Sequence, residues 1–265
     1  MSELVSDRIY NAQCLGNIEP VEYIVPYPNI FSLLEGENIK FGNNYLFLDQ
    51  KITNNDFLTL INQASNWLRE NKLGIKSRVV IENIDFPIAV IIIFAVWASG
   101  NSVILSHETI KKKFIQLSHY NLLVNTNGTC KHLDLRRGTT ININLPSTST
   151  AWIILQLLLP LYAGIAISNK KPDITIGLDG QYDNADYIIK MNWNKISKEQ
   201  NVIHIIEENT GVVCIGDRPI HMTSIEISDN QISIKGHSIM MGYTDKRSNS
   251  KIFNNNSMII KNNLK

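Results

Sequence analysis

The chain has 265 residues, 44% of them hydrophobic and 18% charged, long enough to bury a sizeable core as one large domain or two lobes. Lys plus Arg is 25 and Asp plus Glu is 24, so a net charge of +1 gives no electrostatic case for nucleic acid or an anionic membrane as partner. Cys14, Cys130 and Cys214 are odd in number and widely spaced, which fits neither a disulfide framework nor a zinc spacing and predicts a reducing compartment.

The N-terminal MSELVSDRIYNAQ lacks the basic and then apolar pattern of a secretion signal. The longest apolar run, 87–98, is too short to span a bilayer and reads as a buried helix. The expected location is therefore the cytoplasm. Pro20, Pro26 and Pro28 with little periodicity predict an extended N-terminal arm over 1–40. Residues 45–49 and 51–53 read as a short hairpin. Thr53 then opens a helix, with Asp56 in capping-box position. Phe57, Leu60, Ile61, Ala64, Trp67 and Leu68 recur at helical spacing, and Gly74 is the expected C-cap.

A β-branched strand is predicted over 78–82, an apolar helix covered nearly all round over 86–99, and a strand over 102–105. A helix over 114–124, a strand over 139–144, a buried helix over 150–163 and a strand over 165–168 follow. This alternation predicts βαβ units and a mostly parallel sheet, an α/β core over 41–172. Beyond it the runs are short and β-rich: 174–177, 187–189, 202–206, 211–215, 223–228 and 231–235. TSIEISD and NQISIKG read as a hairpin turning at Asp229-Asn230, within a smaller β-rich subdomain over 173–265. Asn-rich stretches such as FNNNS read as compositional drift in surface loops.

Four segments, in order, resemble the adenylate-forming (AMP-binding) superfamily of acyl- and aryl-CoA ligases, luciferases and peptide-synthetase adenylation domains. YLFLDQKITNNDFLTLINQASNWLRENKLGIKSRVVIENIDFPIAVIIIFAVWASGNSVIL is similar to that family's opening hairpin, helix, strand, apolar helix and strand. LSHYNLLVNTN is similar to the segment after its phosphate loop, and TTININLPSTSTAWIILQLLLPLYAGIAI to its next strand, Pro turn and helix. GVVCIGDRPI through GHSIMMGYTDKRSNSKIF is similar to its β-rich part, with the Gly-Tyr pattern at Gly242 and Tyr243. The resemblance spans 30 to 265 and implies a reduced version of the ligases' N-terminal region. Relative to the family, stretches are missing before Ser106 and between Ala166 and His204, and the mobile C-terminal domain is expected to be absent.

Adenylation needs backbone amides around phosphate, a magnesium ligand and a hold on the ribose. The family's phosphate loop maps onto SHETIKKKFIQLSH, where Ser106, Thr109 and Lys113 match its positions. Its glycines, however, are replaced by His107, Ile110 and Phe114, and such side chains keep phosphate from the backbone. The Lys111-Lys112-Lys113 run reads most simply as a solvated face. The family's magnesium-assisting Glu falls at Glu208, and its ribose-binding Asp at Asn263, which brings no charge and one acceptor oxygen in place of two. In the family an aromatic or His soon after the Leu-Pro of the central strand often faces the acyl substrate; here that position falls in Leu145-Pro146-Ser147-Thr148-Ser149-Thr150, whose polar run reads more simply as an N-cap for the next helix. His119, Cys130 and His132 lack a closed metal spacing, and no metal site is expected.

The losses fall on the nucleotide site while the apolar framework persists. The resemblance therefore implies a shortened ligase-like protein unable to adenylate, with no cofactor, acting as a non-catalytic helper bound to another protein, a biosynthetic enzyme or carrier protein. The alternative is a minimal acyl- or aryl-CoA (or acyl-carrier-protein) ligase using ATP and magnesium, with Lys113 at the phosphates and Glu208 at the metal. A further alternative is a pocket that binds an acyl or aromatic ligand without activating it.

Overall fold

The computed structural model describes residues 4–13, 25–82, 84–105, 114–147, 149–180, 184–191, 198–228 and 231–261. In place of the extended arm expected over 1–40 stand two helices, α1 (Val5–Gln13) and α2 (Ile30–Phe41). Pro26 and Pro28 precede α2 instead of interrupting it. Asn29 caps it by accepting from the Ser32 amide, and Ile30, Leu33 and Leu34 form its buried stripe.

The hairpin forms as expected from β1 (Tyr45–Phe47) and β2 (Ile52–Thr53). Thr53 and Asp56 make a reciprocal capping box at the start of α3 (Asn54–Glu70). That helix ends at Asn71, whose side-chain amide donates to the Trp67 carbonyl, and not at Gly74. β3 (Arg78–Ile81), α4 (Ile88–Ala98) and β4 (Ser102–Leu105) follow, with β3 and β4 paired in parallel. α4 buries Ala89, Val90 and Ile93 through Val96 but leaves Ile88 exposed, so its cover is less complete than its composition implies. T-shaped ring contacts run Phe47–Phe57–Phe94–Trp97–His119 and join the hairpin, α3 and α4 to the next helix.

The helix expected from 114 is corrected. Phe114 is extended, exchanging hydrogen bonds with Thr244, and β5 (Ile115–Gln116) pairs with residues 242–243. Ser118 and Asn121 form a second capping box, so α5 runs His119–Leu133. β6 (Thr140–Asn144) leads into α6 (Thr150–Trp152), a π-helical segment (Ile153–Leu158) and α7 (Leu159–Ala163). Then come β7 (Ala166–Ile167), β8 (Ile174–Leu178), β9 (Tyr187–Lys190), β10 (Val202–Ile206), β11 (Gly211–Ile215) and β12 (Arg218–Pro219). The chain continues through β13 (Thr223–Ser228), β14 (Gln231–Gly236), β15 (Gly242–Tyr243), α8 (Lys246–Ile252), β16 (Phe253–Asn254) and β17 (Ser257–Lys261). The turn expected at Asp229-Asn230 lies outside the described residues, although β13 and β14 pair antiparallel in the predicted register.

One nine-stranded sheet has the order β12-β11-β10-β9-β8-β6-β7-β1-β2. From β1 through β10 every neighbouring pair is parallel, with antiparallel strands only at the two ends. The change of composition at residue 172 is therefore no boundary, because β6 and β8 pair across it. β8 to β10 look β-rich because they are interior strands of the parallel sheet, and all five residues of β10 are buried. The separate β-rich layer is smaller, an antiparallel sheet β13-β14-β17-β16 with its own core of Ile232, Ile234, Phe253 and Met258, against which α1 places Ala12.

Candidate functional site

β6 reads T-I-N-I-N. Ile141 and Ile143 are buried on one face, while Asn142 and Asn144 point from the other and are accessible. Residues at the carboxyl end of a parallel strand face the crevice where open α/β sheets bind ligands. A cleft of about 510 Å³ opens there, lined by Asn142, Asn144, Leu145 and Ser147, by Trp152 and Gln156 from the following helix, and by Asp85 and Phe86 ahead of α4. Gln50 and Asn169 complete its polar wall. Gln156 lies in the π-helical segment, whose wider turn interrupts an otherwise apolar helix.

The helix bordering the cleft is held at its N-terminus by Glu207. One carboxylate oxygen accepts from the Ser149 hydroxyl at 2.6 Å, and the other from the Thr150 amide at 2.8 Å and the Thr150 hydroxyl at 2.6 Å. Ser149 itself accepts from the Ala151 amide, so the polar run after Leu145-Pro146 is the N-cap its sequence predicts. Glu208, the position matched to the magnesium ligand, accepts from the Tyr243 hydroxyl at 2.5 Å. Burial first, and the Glu208 carboxylate next to it, push the Tyr243 phenol well above its usual range.

Both carboxylates of the Glu207-Glu208 pair already accept internal hydrogen bonds, and no cluster of three possible metal ligands exists among the described residues. Ser106, Thr109, Lys113 and Asn263 lie outside the described residues, so of the residues proposed from sequence only Glu208 is placed. His119 packs edge-on against Trp97, and the His132 ring nitrogen contacts the Gly128 carbonyl at 2.9 Å. Burial raises the Cys130 thiol and lowers His119.

Leu145 and Ser147 belong to the run that the resemblance sets where the family faces its acyl substrate, and two further signals mark the other cleft residues. A central parallel strand is expected to be apolar on both faces, and the alternating asparagines of 140–144 break that rule. A lone Gln within Ile153–Leu158 is the second.

No protein-family model matches the chain, and no curated protein matches it by sequence. Solved structures do. VinN superposes with a TM-score of 0.70 at 10% identity, covering 88% of this chain and 96% of that one. A putative long-chain-fatty-acid CoA ligase from Rhodopseudomonas palustris gives 0.69 at 12% identity, covering 88% and 95%. O-succinylbenzoate coenzyme A synthetase from Bacillus subtilis, in complex with AMP, gives 0.68 at 10% identity, covering 87% and 95%. The chain has the fold of the adenylate-forming CoA ligases, as the order of its segments implied. At these identities the likeness concerns the fold alone. Among the described residues no helix is long and apolar enough to cross a membrane.

Proposed function

We propose that this chain is a ligase-like protein that does not adenylate, and that it works by binding a small uncharged acyl or aromatic ligand in the cleft beside β6. The chemistry of the cleft wall carries this reading. Asn142, Asn144, Gln50, Gln156 and Asn169 offer paired amide donors and acceptors, Trp152, Phe86 and Leu145 offer apolar surface, and the charged group is Asp85. Among the described lining residues there is no Lys, Arg or His, so phosphate placed here would face a carboxylate without a counter-charge. Mixed amide and apolar walls suit an uncharged ligand with one polar end. A non-catalytic helper of another biosynthetic protein is the role such binding would serve.

The test pairs two titrations of the full chain. Calorimetry with ATP and magnesium up to millimolar concentration is expected to give no heat. Acyl and aryl carboxamides are expected to change tryptophan fluorescence saturably without ATP, and Gln156→Leu is expected to abolish that change. Saturable ATP binding with carboxylate-dependent pyrophosphate release would overturn the proposal in favour of a minimal ligase.

A further inference from the structure

β3 and β4 form a two-stranded parallel sheet, and among the described residues neither pairs with any other strand. Parallel strands are ordinarily covered on both faces and flanked on both edges. Here the inner face carries Val79 and Ile81 into the main core, with Ile81 7% exposed. The outer face presents Arg78, Val80 and Glu82, all exposed, with Val80 at 53%. Further exposed aliphatic side chains flank the strand in sequence, Ile75 before it and Ile88 after it.

The sequence of this strand is its own antiparallel complement. With a two-fold axis through Val80, Arg78 of one copy lies opposite Glu82 of the other, twice. Val80 meets Val80 on the same outer face, while Val79 meets Ile81 on the inner face. Charges at a strand edge ordinarily discourage pairing. In this strand a shift by two residues loses the opposition of Arg78 and Glu82; one such shift sets Glu82 against Lys76, but Lys76 has φ of +61° and lies outside the extended strand, so the charges within the strand favour the register about Val80. β4 offers no such pattern, since Ser102, Val103, Ile104 and Leu105 are uncharged.

We propose that β3 pairs with β3 of a second copy of this chain, antiparallel about Val80, to make one four-stranded sheet ordered β4-β3-β3-β4. The interface closes on itself, as two-fold contacts do, and removes the open edge on this side of the sheet. A short strand pair with a few aliphatic flanks is small beside a typical stable interface, so the dimer is expected to be weak, with a dissociation constant on the order of micromolar.

Sedimentation velocity of the full chain from micromolar to submillimolar concentration tests this, together with Arg78→Glu, Glu82→Arg and the double exchange. Both residues are exposed, and circular dichroism checks that the variants fold. Each single variant places like charges opposite one another twice and is expected to weaken dimerisation about tenfold. The double exchange restores both pairs and should return the wild-type constant. An equimolar mixture of the two single variants should form the heterodimer in preference to either homodimer. A wild-type chain that stays monomeric throughout would overturn the proposal. So would a dimer whose strength ignores the single variants, or single-variant losses that the double exchange fails to repair.

Discussion

The Tyr243 phenol donates to the Glu208 carboxylate at 2.5 Å, tying β15 to the turn that joins β10 and β11. The Met240 amide donates to the Glu208 carbonyl at 2.9 Å beside it, so the loop ahead of β15 is held to that turn at two points. A half-buried charged acceptor without its donor is costly, and Tyr243→Phe is expected to lower stability by about 1.5–3 kcal/mol in urea unfolding. Because the folded phenol titrates above its usual 10.0, its contribution is complete below that pH and is lost as pH rises through the folded value. The phenylalanine variant should therefore show a flatter loss of stability in alkali than the wild type. Parallel alkaline profiles of the two proteins would contradict this.

Glu207 gathers three donors from Ser149 and Thr150 at the start of α6. Glu207→Ala leaves those donors unmet and removes a negative charge from a helix N-terminus. The expected loss is about 2 kcal/mol by urea unfolding, and Glu207→Gln, which keeps one acceptor oxygen, should lose less. Equal losses in the two variants would show that the side chain acts by packing instead.

What could be read in the sequence was local. The Thr53–Asp56 box, the hairpin and the alternating β13–β14 pair each follow from residues a few positions apart, and each is found. α2 was hidden because prolines ahead of it masked a short apolar stripe whose partners lie elsewhere in the chain. Long-range pairing was equally illegible: β8 to β10 looked like a new unit, yet β6 fixes them in the main sheet. The asparagines show the same limit. Asn121 donates to the carbonyls of His237 and Ile239, and Asn125 to those of Asn209 and Val212, so these buried amides pin α5 to the C-terminal half. A composition rich in Asn gave no means of separating these from the loop residues. The resemblance points to one edge of the candidate cleft through the run that begins at Leu145-Pro146, whereas Asn142 and Asn144 announce themselves only once β6 is known to be central.

His204 and His237 are fully buried, and burial lowers both below the usual 6.5, with Lys190 adding to the effect on His204. The unfolded chain takes up protons first on acidification, so their contribution is intact above about pH 6.5 and is lost as pH falls through the folded values. His237 also shares a 2.7 Å hydrogen bond with the Tyr120 hydroxyl, which fixes its ring. Stability measured in urea should fall by up to about 1.4 kcal/mol per pH unit for each histidine below pH 6.5. A profile flat between pH 7 and pH 5 would show that neither ring is held neutral.

Gly211 opens β11 with φ of +134°, and a Cβ there would lie 3.1 Å from the Ala151 Cα. The first strand residue and the first turn of α6 thus approach so closely that a Cβ would enter only if one of them gave way by a few tenths of an ångström. Gly211→Ala combines a backbone conformation unfavourable to L-residues with contact against main chain, neither of which a rotamer change relieves. The expected loss is about 2–3 kcal/mol in urea unfolding. Ala151 precedes Trp152, which lines the cleft, so displacement of α6 should also shift tryptophan emission in the folded protein. A variant that is destabilised with unchanged emission would mean that β11 yields while the helix, and with it the cleft wall, keeps its place.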